Sequence, residues 1–413
     1  MLLYDAITLI LSVIAGPLFA LSPRGRARLA ERYGRWRLPA SLTGRPVIWF
    51  HGASVGELNG LRPVVERVRK AFPSHAIVIS STSPGGADFA AALGDAAFVL
   101  PFDNPVWLRS VLRKLQPQRF VLTETELWPA LLKLLAQSGT PIYMVNAVIS
   151  DYSAPRYRFL RPMLRAVFPQ VRKILCVDRK SMQRFLELGA SPAAVLLCGN
   201  SKYEVHPSIS TAGERDQLHA RFFGNARPVV VLGSLRPGEE RRWFPALAEY
   251  VNRLNFVVAP RHKEKFDYFA GRLAEAQITF ARWSEDNQTP RTDRAVMLLD
   301  AMGVLEKVYS FAALAFVGGT LEDWGGHNPL EPAAYGVAPV VGPHITKIRD
   351  VVERLSDADA CFRVTSEDDC RKLLERLCHE PTSIAASGAR ARVVWEEFSG
   401  AAERITAVIM EEG

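Results

Sequence analysis

Short apolar segments alternate with helical stretches along most of the chain, and this alternation constrains the fold more than any other feature. Short buried strands separated by helices are typical of a parallel sheet that is covered on both faces. The first series of segments is Val47–His51, Ala76–Ser81, Phe120–Thr123, Pro141–Asn146, Ile174–Val177 and Val195–Cys198. The second series is Pro228–Gly233, Phe256–Pro260, Val296–Leu299, Ala313–Gly318 and Ala338–Gly342. The sequence therefore predicts an α/β fold.

The alternation lapses between Tyr203 and Arg215, where Pro, Ser, Thr and Gly suggest a linker. A chain of 413 residues is also too long for one ordinary domain. We therefore expect two successive doubly wound halves that face each other across a cleft. The chemistry should lie at the strand ends that face this cleft.

The N-terminus combines an apolar stretch, Leu2 to Leu21, with a basic one, Arg24 to Arg37, which holds six arginines and one glutamate. A cleaved signal peptide carries its positive charge before the apolar run, whereas here the charge follows it. This order fits an uncleaved anchor with its basic flank on the cytoplasmic side. The stretch is just long enough to span a bilayer, so shallow insertion and packing on its own domain stay open.

These boundaries divide the chain into three parts. Residues 1–23 are predicted to form a membrane anchor, residues 24–206 an N-terminal doubly wound domain, and residues 207–413 a C-terminal doubly wound domain. The last helix is free to pack back on the N-terminal domain.

Charge and cysteine content narrow the choice of partner and compartment. The net charge of +8 and the pI near 9.3 indicate an anionic partner, which could be nucleic acid, phospholipid or a phosphorylated substrate. The five cysteines form no C-x-x-C pair and are odd in number. They argue against a zinc site and a disulfide framework, and for a reducing compartment.

Several familiar motifs do not occur in the sequence. There is no G-x-G-x-x-G for a dinucleotide and no G-x-x-x-x-G-K-[ST] for a nucleoside triphosphate. There is also no H-E-x-x-H metal motif and no G-x-S-x-G nucleophile elbow. The sequence therefore offers no motif that would support a dehydrogenase, a P-loop enzyme or a serine hydrolase of those types.

A glycine-rich segment, Val317 to Gly336, follows a predicted strand in the second half and reads VGGTLEDWGGHNPLEPAAYG. Asn328 is a plausible N-cap and Pro329 suits the first turn of a helix. Backbone N–H groups and the helix dipole would then hold an anion, and Glu331 could accept hydrogen bonds from a ribose. An ordinary strand-to-helix connection is the alternative.

Acidic residues follow strands in the first half. Glu57 falls in the first turn of a predicted helix, where it could act as a general base or merely cap the helix. Glu124 and Glu126 follow another strand, and alternation along an extended chain predicts that only one of them faces the cleft. Lys202 follows the last strand of this half and could neutralise a phosphate or carboxylate. In the second half, Arg261 could bind such a group with two bonds.

Arginines and aromatic residues interleave between Tyr152 and Lys173, and they include Arg156 and Arg161. This pattern fits an RNA-binding surface, a helix facing anionic lipid and the phosphates of a lipid acceptor, or a packed amphipathic helix. Beside an N-terminal anchor, the lipid interpretation is the most economical.

Six segments occur in an order and spacing that resemble the Kdo (3-deoxy-D-manno-octulosonic acid) transferase family, which adds Kdo to the lipid A precursor. The resemblance covers almost the whole chain. The segments are Arg32–Gly34, Ser54–Glu57, Glu124–Pro129, the stretch ending at Lys202, Pro260–His262 and Phe316–Glu331.

The resemblance implies a GT-B fold of two Rossmann-like domains, in which residues 24–206 bind the acceptor and residues 207–413 bind the CMP-sugar. It also implies that the protein is anchored on the cytoplasmic face of the inner membrane, where phospholipid is a further partner. It implies inverting transfer from CMP-Kdo without a cofactor, a required metal or nucleic acid. Glu57 matches the general base, and Glu124 and Lys202 match residues that stabilise the transition state. The positions that match CMP-contacting residues, or flank them in the glycine-rich segment, are Pro260, Arg261, Met302, Gly303, Val304, Gly318, Gly319, Gly326, His327, Asn328, Pro329, Leu330 and Glu331. Acceptor-side candidates are Ser54, Gly56, Arg156 and Arg161.

The chain departs from the family pattern at Val148, Leu235 and Val304, where an arginine, a histidine and a glutamate are expected. These departures leave the exact sugar open. A nucleotide-sugar epimerase and a non-catalytic basic binding protein are the alternatives from other classes. The epimerase would need no anchor, and the binding protein would tolerate replacement of Glu57.

Overall fold

The computed structural model describes residues 2–21, 23–159, 161–205, 207–209, 211–285 and 294–411. The chain divides into two compact units. The first unit comprises residues 1–204 together with 399–413, and the second comprises residues 205–398.

The first unit contains a seven-stranded sheet in which every neighbouring pair of strands is parallel, in the order β3-β2-β1-β4-β5-β6-β7. Its strands are β1 (Val47–His51), β2 (Ala76–Ser81), β3 (Ala96–Val99), β4 (Pro117–Thr123), β5 (Ile142–Ala147), β6 (Lys173–Cys176) and β7 (Val195–Leu197). Its helices are α1 (Leu2–Ala20), α2 (Pro23–Arg26), α3 (Leu29–Arg32), α4 (Val55–Ala71), α5 (Pro84–Ala90), α6 (Pro105–Leu115), α7 (Pro129–Gln137), α8 (Ala154–Phe159), α9 (Arg161–Val167) and α10 (Arg179–Leu188).

The second unit repeats this plan with a seven-stranded parallel sheet in the order β10-β11-β9-β8-β12-β13-β14. Its strands are β8 (Val229–Leu235), β9 (Asn255–Pro260), β10 (Ala281–Arg282), β11 (Val296–Leu298), β12 (Leu314–Val317), β13 (Ala338–Val341) and β14 (Phe362–Arg363). Its helices are α11 (Ala212–Phe222), α12 (Glu240–Tyr250), α13 (Phe266–Glu275), α14 (Leu305–Val308), α15 (Leu330–Ala333), α16 (Arg349–Asp357), α17 (Glu367–His379) and α18 (Pro381–Phe398).

The central strands of both sheets are buried along their whole length, which is why they read as continuous apolar runs. The predicted α/β fold with two doubly wound sheets is therefore confirmed. The sequence analysis missed β3, β10 and β14, which lie at sheet edges and pair with only one neighbour each. Two of them are just two residues long, too short to give an apolar signal.

The chain returns to the first unit through its last helix, α19 (Ala401–Met410). Ile405 and Ile409 are buried in the same apolar cluster as the inner face of α4. Arg404 donates from Nε to the carbonyl of Cys198 at 3.0 Å. The C-terminal segment therefore completes the core of the first sheet rather than that of the second.

Helix α1 is apolar and long enough to cross a membrane by length and composition, yet polar bonds attach one side of it to the first unit. Tyr4 donates to the buried carboxylate of Asp103 at 2.6 Å, and Trp107 donates to Ser12 Oγ at 3.0 Å. The helix nevertheless exposes a row of large apolar side chains: Leu3, Ile7, Ile10, Leu11, Val13, Ile14, Leu18 and Phe19. Packing on its own domain thus accounts for only one face of this helix.

Candidate active site

Each sheet has its first strand at the centre, and the chain leaves that strand in opposite directions on its two sides. This topological switch point is where doubly wound proteins bind ligands, at the carboxyl ends of the strands. In the first unit, Glu57 follows β1 and Glu124 follows β4, its neighbour. In the second unit, Arg236 follows β8 and Gly318 follows β12, its neighbour. Each unit therefore presents one group of candidate residues at its own switch point.

Glu57 lies in the first turn of α4, which Ser54 caps by accepting from the Glu57 N–H at 3.2 Å. The Glu57 carboxylate accepts from the backbone N–H of Ala53 at 2.8 Å and from Ser54 Oγ at 2.9 Å. These two bonds fix the carboxylate and leave further lone pairs on both oxygens. Glu57 therefore caps the helix and could also accept a proton, because the first role does not block the second.

The charge of Glu57 acts on both Glu124 and Glu126, whereas strict alternation along an extended strand would direct only one of them toward it. The negative charge of Glu57 raises the pKa of both residues, although burial is the larger cause for each. For Glu126, burial together with Glu57 and Glu124 raises the pKa to about 7. The alternation argument fails because β4 ends at Thr123, and Glu124 then turns the chain with a φ of 57°.

Lys202 approaches the same group from the end of β7, and its positive charge partly offsets the raised pKa of Glu124. A buried bridge positions it. Asn146, at the end of β5, accepts from the Ser201 N–H at 2.9 Å, and Ser201 Oγ donates to the carbonyl of Gly60 in α4 at 2.6 Å. The loop that carries Lys202 is therefore tied to the helix that carries Glu57.

The acceptor-side candidates differ in how they relate to this group. Ser54 and Gly56 are exposed in the first turn of α4, directly beside Glu57. Arg156 and Arg161 are exposed on α8 and α9. Tyr157 in α8 donates to the carbonyl of Thr125 at 3.1 Å, so α8 contacts the segment that carries Glu124 and Glu126. Leu160 and the side chain of Met163 lie outside the described residues.

The raised pKa of Glu126 predicts a pH-dependent stability. The pKa of this carboxyl group is higher in the folded state (about 7) than in the unfolded state (4.5), so the folded state binds the proton more tightly. The resulting contribution to stability is fully present below pH 4.5 and is lost as the pH rises through about 7. Glu126→Gln should therefore reduce the fall in Tm between pH 5.5 and 8 by roughly 2–4 °C, which corresponds to about 1 kcal/mol for a half-exposed group. Calorimetry at the two pH values measures this. An equal shift in Tm at both pH values would contradict the prediction.

The glycine-rich segment of the second unit forms a tight loop after β12. Gly318 lies so close to β8 that an added Cβ would meet the carbonyl oxygen of Ser234 at 2.1 Å. Gly326 has a φ of 89°, a conformation that favours glycine. The loop closes on itself, because Gly326 N–H donates to the carbonyl of Gly319 at 2.8 Å. Its glycines are therefore required by close packing and backbone conformation.

The helix expected after this loop is shorter than predicted. It spans Leu330–Ala333, a single turn that begins after Pro329, so its dipole contributes little to anion binding. Asn328 still satisfies the helix start, because its Oδ1 accepts from the Leu330 N–H at 3.0 Å. Positive side chains, rather than a helix terminus, supply most of the positive charge here.

Those side chains surround His327. Burial is the main cause that lowers the pKa of His327 to about 3, and the charges of Arg261, Arg236, Lys347 and His262 lower it further. Arg261 also lowers the pKa of Glu331, which burial and Glu306 together raise to about 7. The charge of Arg261 thus acts on both His327 and Glu331, while the donor-binding role of the three residues stays a prediction.

Glu239 organises the loop and was missed by the sequence analysis. Its buried carboxylate accepts four backbone N–H groups, from Arg236 at 2.8 Å and from Gly319, Thr320 and Leu321 at 3.0 Å each. Its position after β8 was visible in the sequence, but four donors from two separate segments were not. Arg236 and Lys347 were not assigned to the site either, and His262 and Trp324 lie in segments that the sequence analysis named without giving these two residues a role.

Five other positions need comment. Met302 is exposed and Gly303 has a φ of 79°, in the turn before α14. Val304 packs against an apolar cluster of the second unit, and Leu235 is buried in another. The expectation that position 235 lines the site is therefore wrong, because the Leu235 side chain is buried in the core, whereas the donor-binding role of the partly buried Val304 stays a prediction. Pro260 ends β9 and is buried, with exposed Arg261 directly after it.

Comparisons with known proteins show what this chain resembles. A sequence profile described as 3-deoxy-D-manno-octulosonic-acid transferase (kdotransferase) matches residues 27–205. A 3-deoxy-D-manno-octulosonic acid transferase of Haemophilus influenzae is 33% identical over 398 residues, which cover 94% of this chain and 92% of that protein. The transferase of the same description from Chlamydia trachomatis serovar D is 33% identical over 78% of this chain and 76% of its own length.

A solved structure supports the fold. UDP-GlcNAc 2-epimerase from Neisseria meningitidis bound to UDP-GlcNAc superposes with a TM-score of 0.57, covering 89% of this chain and 100% of that chain. Its sequence identity is 14%, so this likeness concerns the fold alone.

Proposed function

Because this chain belongs to the Kdo transferase family, we propose that it transfers Kdo from CMP-Kdo to the lipid A precursor with inversion at the anomeric carbon. The observation that carries the proposal is the position of Glu57, a fixed carboxylate at the switch point of the first sheet with open lone pairs. The rest of the mechanism follows from the residues around it and from the second unit.

Glu57 accepts the proton of the acceptor hydroxyl in the first step. The freed oxygen then attacks the anomeric carbon of Kdo, and the bond from that carbon to the phosphate oxygen breaks, so that CMP leaves with the electron pair. General-base catalysis of this kind contributes roughly 10²- to 10⁴-fold to a rate. Lys202 and Glu124 stabilise the charge that develops during transfer.

The second unit binds the donor in this proposal. Arg261 neutralises the phosphate of CMP and Glu331 accepts from the ribose hydroxyls, and the charge of Arg261 already lowers the pKa of Glu331 in the structure. Phosphate neutralisation by fixed cations makes CMP a good leaving group without a required metal ion.

Helix α1 holds the enzyme on the cytoplasmic face of the inner membrane, and its exposed apolar row enters the phospholipid. The arginines of α8 and α9 then face lipid headgroups or the phosphates of the acceptor. The contact from Tyr157 to Thr125 links this basic surface to Glu126, beside Glu57. A lipid-linked acceptor would thus reach the base from the membrane side.

One experiment tests donor, acceptor and membrane together. Full-length protein is incubated with CMP-Kdo, EDTA and phospholipid vesicles that contain tetraacyl lipid A precursor, and the vesicles are then floated on a density gradient. We expect the protein to float and the lipid to gain the mass of one or more Kdo residues. No gain in mass despite CMP binding would reject the proposed substrates, and protein left at the bottom would reject the membrane role.

A further inference from the structure

We propose that Arg236 binds the carboxylate of the donor sugar, at an anion subsite in the second unit that is distinct from the phosphate site at Arg261. This inference rests on the proposed function, since it assumes that the donor is a CMP-linked sugar acid. Such a donor carries two anionic groups, one phosphate and one carboxylate, and therefore needs two sites of positive charge.

The second unit groups several positive side chains around one histidine, and the carboxylates of Glu239 and Glu331 offset only part of that charge. Arg236, Arg261 and Lys347 all act on His327. Among the residues that the structure describes, none of these three side chains forms an ion pair with a carboxylate. Arg236 also repels Arg261, whose charge lowers the Arg236 pKa together with the larger effect of burial. Bound anions would relieve this repulsion.

The guanidinium group of Arg236 lies within hydrogen-bond distance of two histidine side chains. Its Nη1 lies 2.8 Å from His262 Nε2, and its Nε lies 3.3 Å from His327 Nε2. A guanidinium group has only donors, so the Nε2 atoms of both rings face it as hydrogen-bond acceptors. Arg236 keeps three N–H groups that these bonds do not use.

Trp324 holds the guanidinium group in a fixed plane. The Arg236 Cζ lies 4.7 Å from the centre of a Trp324 ring, in a cation–π contact. Lys347 donates from Nζ to the backbone carbonyl of Trp324 at 2.8 Å, and this bond helps to position Trp324. A planar guanidinium held in this way suits two parallel bonds to a carboxylate.

The neighbours of each arginine decide which anion it binds. The charges that shift the pKa of Glu331 are those of Arg261 and Glu306. In CMP the phosphate is attached to the ribose, and Glu331 is the proposed ribose ligand, so Arg261 receives the phosphate. The sugar is attached to the phosphate on the side away from the ribose. We therefore assign its carboxylate to Arg236.

Two quantities, KM for CMP-Kdo and Kd for CMP, separate this assignment from its alternatives. We expect Arg236→Gln to raise KM for CMP-Kdo by about 10- to 100-fold, as expected for a lost charged hydrogen-bond pair. Its Kd for CMP, which has no carboxylate, should stay within about two-fold. Arg236→Lys should recover part of the KM. Arg261→Gln should weaken both ligands, whereas Arg241→Gln, on the exposed side of α12, should weaken neither.

Every outcome decides the matter once thermal unfolding shows that the variants are folded. If Arg236→Gln weakens CMP as much as CMP-Kdo, or weakens neither, Arg236 does not bind the carboxylate although the proposed function survives. If the wild type does not use CMP-Kdo at all, the proposed function fails and this inference fails with it.

Discussion

Replacing Glu57 with glutamine should lower kcat for Kdo transfer by about 10³-fold while leaving the Kd for CMP within about two-fold. Glutamine keeps an acceptor oxygen toward Ala53 or Ser54, so it preserves much of the helix cap. It has no basic carboxylate, so the acceptor hydroxyl keeps its proton. Initial rates with saturating CMP-Kdo and titration with CMP measure the two quantities.

The matched control for this prediction is Glu66→Gln, which changes the same residue type on the exposed side of the same helix. We expect this variant to keep wild-type activity. If Glu57 serves only as a cap, Glu57→Gln should lose little activity and should show any defect as a lower Tm instead. A Glu57→Gln variant that transfers Kdo at the wild-type rate would remove the base from the mechanism.

Glu239→Gln should have the second-largest effect, on both stability and donor binding. The two carboxylate oxygens of Glu239 accept four backbone N–H groups. In glutamine one oxygen becomes an NH₂ group that faces two of these donors and leaves them unpaired. Each buried unpaired donor costs about 1–3 kcal/mol, so we expect Tm to fall by roughly 5–15 °C and the Kd for CMP to rise at least about 10-fold.

Calorimetry and CMP titration test this effect, with Glu353→Gln on the exposed side of α16 as the control. The control should change neither quantity. Wild-type CMP affinity in the Glu239→Gln variant would show that the 318–321 loop keeps its shape without the carboxylate. The role assigned to Glu239 would then be wrong.

Glu57 and Glu239 also illustrate what the sequence could and could not predict. Glu57 was predictable because it directly follows a strand with a strong apolar signal and falls at a helix start, so its position depends on local structure. Glu239 depends on contacts with residues 319–321, about eighty positions away along the chain. No local pattern reports such a contact, because only the folded sheet brings β8 and β12 together.

The errors in the site follow the same physical rule. Alternation predicts which way a side chain points only while the backbone stays extended, and the positive φ of Glu124 ends that condition. Position 235 was assigned to the site by its place in a family pattern, whereas burial in the core of the second unit decides where the Leu235 side chain points. The fold was easier to predict, because most residues of the strands next to each switch point are apolar and buried.

The central claim is that one base acts in a single displacement, and the stereochemistry of the product tests it most directly. The Kdo-lipid formed from CMP-Kdo by the wild-type chain is isolated, and NMR determines the configuration at its anomeric carbon. The mechanism predicts the configuration opposite to that in CMP-Kdo, because the acceptor oxygen attacks from the side opposite to the leaving phosphate. Retention of configuration would contradict it, since retention requires either a covalent intermediate on a protein nucleophile or attack from the same face.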